Sequence, residues 1–250
     1  MSHVLITRPK DAGQQLASAL SKHGLTAIVM PLYTFVARAP SLDLSVEWST
    51  RSTRKLAVFT SPRAVQFGLE YLPADPLKGV EIAVVGSATR NQLESCGQRV
   101  HLQSREGFTS EHLLQMPEMA VDPGVAVIFC APGGRDALDR GLAAMGWRVS
   151  KALVYERKAL QPLRGHVDSI EAAQKLLSVW TSTSALKLAE NSLPERTWRK
   201  ILMAPALVIS SRIQHYLQHR GARRVEVANG PGNPELLQSI LRMTGQSNTG

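Results

Sequence analysis

Short apolar, β-rich runs alternate along the whole chain with longer stretches in which apolar residues recur at helical spacing. The runs fall at residues 4–7, 26–30, 56–59, 81–85, 100–102, 125–129, 149–155, 177–180, 206–209 and 225–227. Most are nearly continuous in apolar residues, the pattern of parallel strands covered by helices on both faces. Ten strands in this arrangement predict an α/β fold with two similar domains, each a parallel five-stranded sheet flanked by helices.

The helical stretches carry their own punctuation. Residues 11–22 place Leu16, Ala19 and Leu20 on one face and stop at Gly24, where a left-handed turn needs a residue without Cβ. Gly97, Gly146 and Gly221 are expected to end helices in the same way. At helix starts, Ser61 is placed to cap with Pro62 in the first turn, and Asn233-Pro234 predicts the same arrangement. Residues 38–54, with Pro40 and Trp48, read as a polar insert. Residues 161–166 read as a connection, and residues 244–250 as a polar tail.

These landmarks repeat at a spacing of about 120 residues. Tyr33 and Tyr155 each close a first strand–helix–strand unit, Phe59-Thr60-Ser61 returns as Trp180-Thr181-Ser182, and Val84-Val85-Gly86 returns as Val208-Ile209-Ser210. Such a repeat predicts two similar folded units with a site between them.

Composition narrows the class of function. At 250 residues, with 44% hydrophobic and 20% charged residues, the chain suits two modest cores. No apolar run reaches membrane-spanning length and no signal-peptide pattern opens the chain, so a cytoplasmic protein is expected. Cys96 and Cys130 stand apart from any metal or disulfide spacing and read as small buried side chains. The net charge of +9 predicts a negatively charged partner. A nucleic-acid surface is disfavoured by an aromatic content of 5%, scattered through strands. A non-enzymatic sensor of small anions shares every feature except turnover.

Motifs for nucleotide hydrolysis, dinucleotide binding, serine hydrolysis and zinc proteolysis do not occur. His215 and His219 share a helix face, but no third ligand accompanies them, and they read as exposed. His219-Arg220-Gly221-Ala222-Arg223-Arg224 reads as a solvated basic cluster at a helix end. More telling are four hydroxyl-rich turns between a strand and a helix: Thr60-Ser61-Pro62-Arg63, Gly86-Ser87-Ala88-Thr89, Thr181-Ser182-Thr183-Ser184 and Ser210-Ser211-Arg212. Each offers backbone N–H groups, hydroxyls and the positive end of a helix dipole to an anion. The residues alone thus lead to a cofactor-free, two-domain α/β protein with an anionic ligand.

In order and spacing, the chain resembles the uroporphyrinogen-III synthase family. The resemblance runs through Leu5-Ile6-Thr7-Arg8-Pro9, Phe59-Thr60-Ser61-Pro62-Arg63-Ala64-Val65, Val84-Val85-Gly86-Ser87-Ala88-Thr89, Gly133-Gly134-Arg135, Val154-Tyr155-Glu156-Arg157 and residues 228–237. It implies a crossed arrangement: residues 1–35 with 158–250 form one discontinuous domain and 39–152 the other. Residues 36–38 and 153–157 are the linkers, and the active site lies in the interdomain cleft. The implied reaction is cyclisation of hydroxymethylbilane, a linear tetrapyrrole with eight carboxylates, to uroporphyrinogen III with loss of water. The last ring is inverted through a spiro intermediate, whereas spontaneous closure gives the type I isomer. No cofactor, metal, nucleic acid or membrane is implied, and the family suggests a flexible monomer.

By the same resemblance Tyr155 is the catalytic candidate, its phenol serving the departing hydroxyl. Thr7, Arg8, Thr60, Ser61, Arg63, Gly86, Ser87, Thr89, Ser182, Ser210 and Ser211 are the substrate-binding candidates. Two departures stand out. Ser210-Ser211-Arg212-Ile213 replaces a Gly-Pro-Thr-Thr run found in many relatives, and Cys130-Ala131-Pro132 stands where an arginine often precedes Gly-Gly-Arg.

Overall fold

The computed structural model describes residues 2–49, 54–69, 79–104, 106–107, 109–133 and 136–246. In chain order the strands are β1 (Ser2–Ile6), β2 (Thr26–Val29), β3 (Tyr33–Ala37), β4 (Lys55–Phe59), β5 (Glu81–Val84) and β6 (Val125–Cys130). They continue as β7 (Arg148–Leu153), β8 (Tyr155–Ala159), β9 (Lys175–Trp180), β10 (Ala206–Val208) and β11 (Val225–Val227). Two compact units result, one formed by Met1–Thr34 and Lys158–Gly250, the other by Phe35–Arg157.

The first unit holds a parallel sheet of five strands in the order β11-β10-β9-β1-β2. Alternate residues face opposite sides, as the two-residue period of a strand requires. Val4, Ile6, Leu177, Val179 and Leu207 enter one core with Leu16, Leu20, Leu236 and Ile240 from the helices Lys10–Ser21 and Asn233–Thr244. Trp180 is fully buried and meets Trp198 edge-on, with ring centroids 6.1 Å apart.

The second unit repeats the plan with one strand reduced. Its parallel sheet has four strands among the described residues, in the order β5-β4-β6-β7. The expected fifth strand at residues 100–102 is a single parallel bridge from Leu102 to Ala83. His101 shows why the ladder stops: its Nδ1 accepts the Ile82 N–H at 3.0 Å, so a side chain takes a donor at the sheet's edge. Ala57, Phe59, Ile82, Val84, Val127 and Phe129 face one core, while Leu56, Val58, Ala83, Ala126 and Ile128 face the other.

Between these sheets in sequence, β3 and β8 pair with each other as a two-stranded sheet. Arg38 N–H donates to the Val154 carbonyl and Leu160 N–H to the Leu32 carbonyl, both at 2.9 Å. The pairing is therefore antiparallel, and its register sets Phe35 opposite Arg157. Apolar patterning did not separate these strands from their neighbours. The run expected at residues 149–155 ends instead at Leu153, and Tyr155 opens a new strand.

Other local expectations are corrected as well. The insert at residues 38–54 contains a helix, Leu44–Trp48, capped by Asp43, whose carboxylate accepts the Ser45 N–H at 2.9 Å. Leu44 and Trp48 are buried in the second unit's core, so this segment is less polar in role than in composition. The connection at residues 161–166 already holds the start of the helix Arg164–Ala172. Cys96 is exposed and only Cys130 is partly buried. Burial pushes the Cys130 thiol above its ordinary pKa. Arg220 is not simply solvated: its Nε donates to Glu190 at 2.6 Å. The helix-ending glycines Gly24, Gly97, Gly146 and Gly221 all take positive φ, from 70° to 97°. No helix among the described residues is long and apolar enough to cross a membrane.

Candidate active site

In both sheets the chain order reverses at one place. From β1 the chain moves outward to β2 and returns on β1's other side as β9; from β4 it moves to β5 and returns as β6. Such switch points, at the carboxyl ends of parallel strands, are where open α/β sheets bind ligands. A threonine crosses each one. Thr7, just past β1 and 1% exposed, donates its hydroxyl to the Val179 carbonyl of β9 at 2.8 Å. Thr60, just past β4, donates to the Phe129 carbonyl of β6 at 3.0 Å. Both hydroxyls are thus engaged in tying neighbouring strands together at the edge.

In the second unit, Tyr155 and Ser61 are brought together from strand ends 94 residues apart, with their hydroxyl oxygens at 3.1 Å. Ser61 is the N-cap of the helix Pro62–Gly68, and its Oγ also accepts the Ala64 N–H at 3.1 Å. The helix is seated on the stacked rings of Phe59 and Phe129, whose centroids are 4.5 Å apart. Gly68 permits this approach, since a Cβ there would lie 3.0 Å from the Phe129 ring and 3.1 Å from Phe59. Packing at one end of the helix therefore sets the position of the serine at the other.

Tyr155 is 9% exposed. Phe35 meets it edge-on at 5.7 Å between centroids, and Phe67 stacks on it at 5.8 Å. Two guanidiniums lie over the Phe35 ring, Arg63 at 5.3 Å and Arg157 at 5.8 Å. Arg63 also donates to Gln66 at 2.6 Å. This unit consequently holds a phenol with an oriented hydroxyl and positive charge on the adjoining ring. Gly86, Ser87 and Thr89 follow the neighbouring strand β5. Gly86 caps the helix Ser87–Ser95, Ser87 is exposed, and Thr89 is buried with its N–H bonded to the Gly86 carbonyl at 3.0 Å.

In the first unit, Thr7 and Arg8 follow β1, Ser182 follows β9, and Ser210 and Ser211 follow β10, so five candidates share the carboxyl edge of three adjacent strands. Ser182 and Ser210 are extended N-caps of the helices Thr183–Ser192 and Ser211–His219, and neither spends its side chain on a cap bond. Ser211 is exposed. Arg8 donates to Asn233 Oδ1 at 2.6 Å, while its Nε is buried with no acceptor. Burial lowers the guanidinium's pKa below its ordinary value, and Tyr33 partly offsets this.

Asn233 is one residue whose role the sequence concealed. It does not cap its helix as Asn-Pro predicts; Gly232 occupies that position, and the asparagine side chain turns to Arg8. Phe35 and Phe67 were also unmarked, because only the β3–β8 register and the helix after β4 bring them to Tyr155. Gly134 and Arg135 of the Gly-Gly-Arg run lie outside the described residues. His215 and His219 are both exposed, and no cluster of metal-ligating side chains occurs among the described residues.

Comparison with known proteins gives a consistent result. The family model described as uroporphyrinogen-III synthase HemD matches residues 14–238. The uroporphyrinogen-III synthase of Salmonella typhimurium is 30% identical over 249 residues, covering 95% of this chain and 99% of the relative. That of Escherichia coli is 27% identical over 250 residues with the same coverage. Among solved structures, uroporphyrinogen-III synthetase from Helicobacter pylori superposes with a TM-score of 0.67 at 19% identity, over 97% of this chain and 100% of that one. A mutant uroporphyrinogen III synthase from Thermus thermophilus gives 0.59 at 16% identity, over 99% and 100%.

Proposed function

The chain belongs to the uroporphyrinogen-III synthase family, an enzyme family of tetrapyrrole synthesis, and from that premise we propose how its own residues would carry the reaction. It is a hydro-lyase that takes hydroxymethylbilane, expels the terminal hydroxyl as water, and closes the ring as uroporphyrinogen III with its last pyrrole inverted. The hydrogen-bonded pair of Tyr155 and Ser61 carries this reading.

The chemistry asks for little beyond a proton and a shape. Leaving as water requires that the departing oxygen gain a proton, which a phenol within hydrogen-bond reach can supply. Ser61 already accepts from Ala64, so its own proton is available to the Tyr155 oxygen. Donated there, it orients the phenol and leaves the phenolic proton for the substrate. The cation that remains is attacked by the last ring at its substituted carbon, giving the spiro intermediate, which fragments and recloses at that ring's free carbon with the ring inverted; the proton this carbon loses on rearomatising restores the Tyr155 phenol. Holding the chain so that this closure outruns direct closure is a positioning task.

Carboxylates supply the handle for that positioning. Arg63 in one unit and Arg8 in the other, with the N-cap serines Ser182 and Ser210, present positive charge and donors at the carboxyl edges of their sheets. Gly86, Ser87, Thr89 and Ser211 contribute backbone donors and hydroxyls there. Thr7 and Thr60 hold the edges in place rather than reach for substrate, since their hydroxyls are bonded to carbonyls.

The test is to supply hydroxymethylbilane and resolve the isomers formed. Type III product is expected. Type I alone, at the spontaneous rate, would exclude the enzyme and leave a non-enzymatic anion sensor.

A further inference from the structure

Arg8 is held by a neutral group although an acidic one would hold it more firmly. Its described partner is the amide oxygen of Asn233, 225 residues away in sequence, at 2.6 Å. The other end of that amide is anchored too: Nδ2 donates to the Ala12 carbonyl at 3.3 Å and to Gln15 at 3.5 Å. A guanidinium only donates and a backbone carbonyl only accepts, so these partners fix which way the amide points. Ala12 and Gln15 lie on the helix that directly follows Arg8, and Asn233 is the first residue of the last helix. The amide thus joins two helix starts and the end of β1 at one point.

We infer that Asn233 is a positioning residue for Arg8, aiming the guanidinium at the carboxyl edge of the sheet without neutralising it, so that its charge is kept for a substrate carboxylate. This rests on the reading above, in which that edge takes the carboxylates of the tetrapyrrole. An aspartate at position 233 would form a stronger, charge-assisted bond to the arginine while giving up the amide's bond to the Ala12 carbonyl. It would also cancel the charge the ligand needs. Burial sharpens the contrast, because a partly desolvated cation gains more from an incoming anion than an exposed one does. The Nε, buried and without an acceptor, shows that the protein leaves part of this donor set unanswered.

The experiment compares Asn233→Asp and Asn233→Ala with the wild type for KM, kcat, salt dependence and thermal stability, using hydroxymethylbilane. Asn233→Asp is expected to hold Tm above that of Asn233→Ala, to raise KM by roughly tenfold with kcat little changed, and to flatten the dependence of KM on salt. Asn233→Ala is expected to raise KM and lower Tm. A bond that only braces the fold predicts otherwise: Asn233→Asp would then show wild-type KM and wild-type salt dependence, and that result overturns the inference. Should Asn233→Asp fail to fold, Asn233→Gln carries the test, because it stays neutral and moves the oxygen by one methylene. A raised KM in that variant supports positioning; an unchanged one refutes it. Failure of the wild type itself to form the type III isomer would instead overturn the functional reading, so the two failures are separable.

Discussion

Replacing Tyr155 with phenylalanine separates chemistry from packing at this site. The variant keeps the ring, and with it the contacts to Phe35 and Phe67. It removes one hydrogen bond, to a half-buried serine that retains its bond from Ala64 N–H and can turn its own hydroxyl proton toward solvent. The stability loss is then about 1 kcal/mol. For a chain of this size that lowers Tm by about 2–4 °C. Even from a starting stability near 5 kcal/mol, about 99.9% of the variant remains folded at 25 °C. Loss of a general acid costs about 10²- to 10⁴-fold in rate, which unfolding on this scale cannot imitate. The assay supplies hydroxymethylbilane, separates the I and III isomers, and follows thermal unfolding of the same preparation. Type III formation is expected to fall at least a hundredfold while Tm moves by a few degrees. An unchanged type III rate would remove Tyr155 from the mechanism. Ser61→Ala provides the converse, because it loses a helix cap worth about 1 kcal/mol as well as the phenol's partner. It is expected to lose more stability and less activity than Tyr155→Phe.

Three further expectations follow from separate parts of the molecule. Thr7→Val keeps the shape of a side chain that is almost wholly buried but removes its bond to the Val179 carbonyl; denaturant unfolding is expected to show a loss of about 1–2 kcal/mol, and an unchanged midpoint would mean the staple contributes nothing. Product affinity is expected to fall as salt rises, because screening weakens the attraction between a +9 chain and a polycarboxylate; salt-independent binding would make the charge balance incidental. Glu190 is held below its ordinary pKa by hydrogen bonds from Arg220 and Tyr216, so its contribution to stability is full above about pH 4.3 and is lost as pH falls through the lowered folded value. Glu190→Gln should therefore lessen the stability lost on acidification in unfolding scans; an acid limb identical to the wild type's would show that the cluster contributes no linkage.

Features set by local physics were legible along the chain. The strands were found by their apolar runs because a strand covered on both faces cannot afford polar positions, and the glycine stops were found because only glycine enters the left-handed region freely. The four hydroxyl-rich turns were legible for the same reason, as strand-to-helix junctions with small polar residues. Register and edges were not. Nothing in residues 100–102 distinguishes a full strand from the single bridge at Leu102, because the outcome turns on His101 taking the Ile82 N–H. Tyr155 was expected at the end of one strand and begins another, since the break at Val154 comes from pairing with β3 rather than from any change in hydrophobicity.

At the level of the site, residue types and spacing indicated a positively charged α/β protein with hydroxyl-lined strand ends, and the resemblance singled out Tyr155. Which groups work together was decided by tertiary structure. Ser61 reaches Tyr155 because a helix rests on two stacked phenylalanines; the hydroxyls of Thr7 and Thr60 donate to carbonyls on neighbouring strands and so brace the edge. Asn233 shows the competition most directly, for local rules made it a helix cap while a guanidinium more than two hundred residues away claimed its oxygen. Capping is worth about 1 kcal/mol and a hydrogen bond to a charged group more, so the long-range partner prevails, and sequence spacing carries no record of that contest.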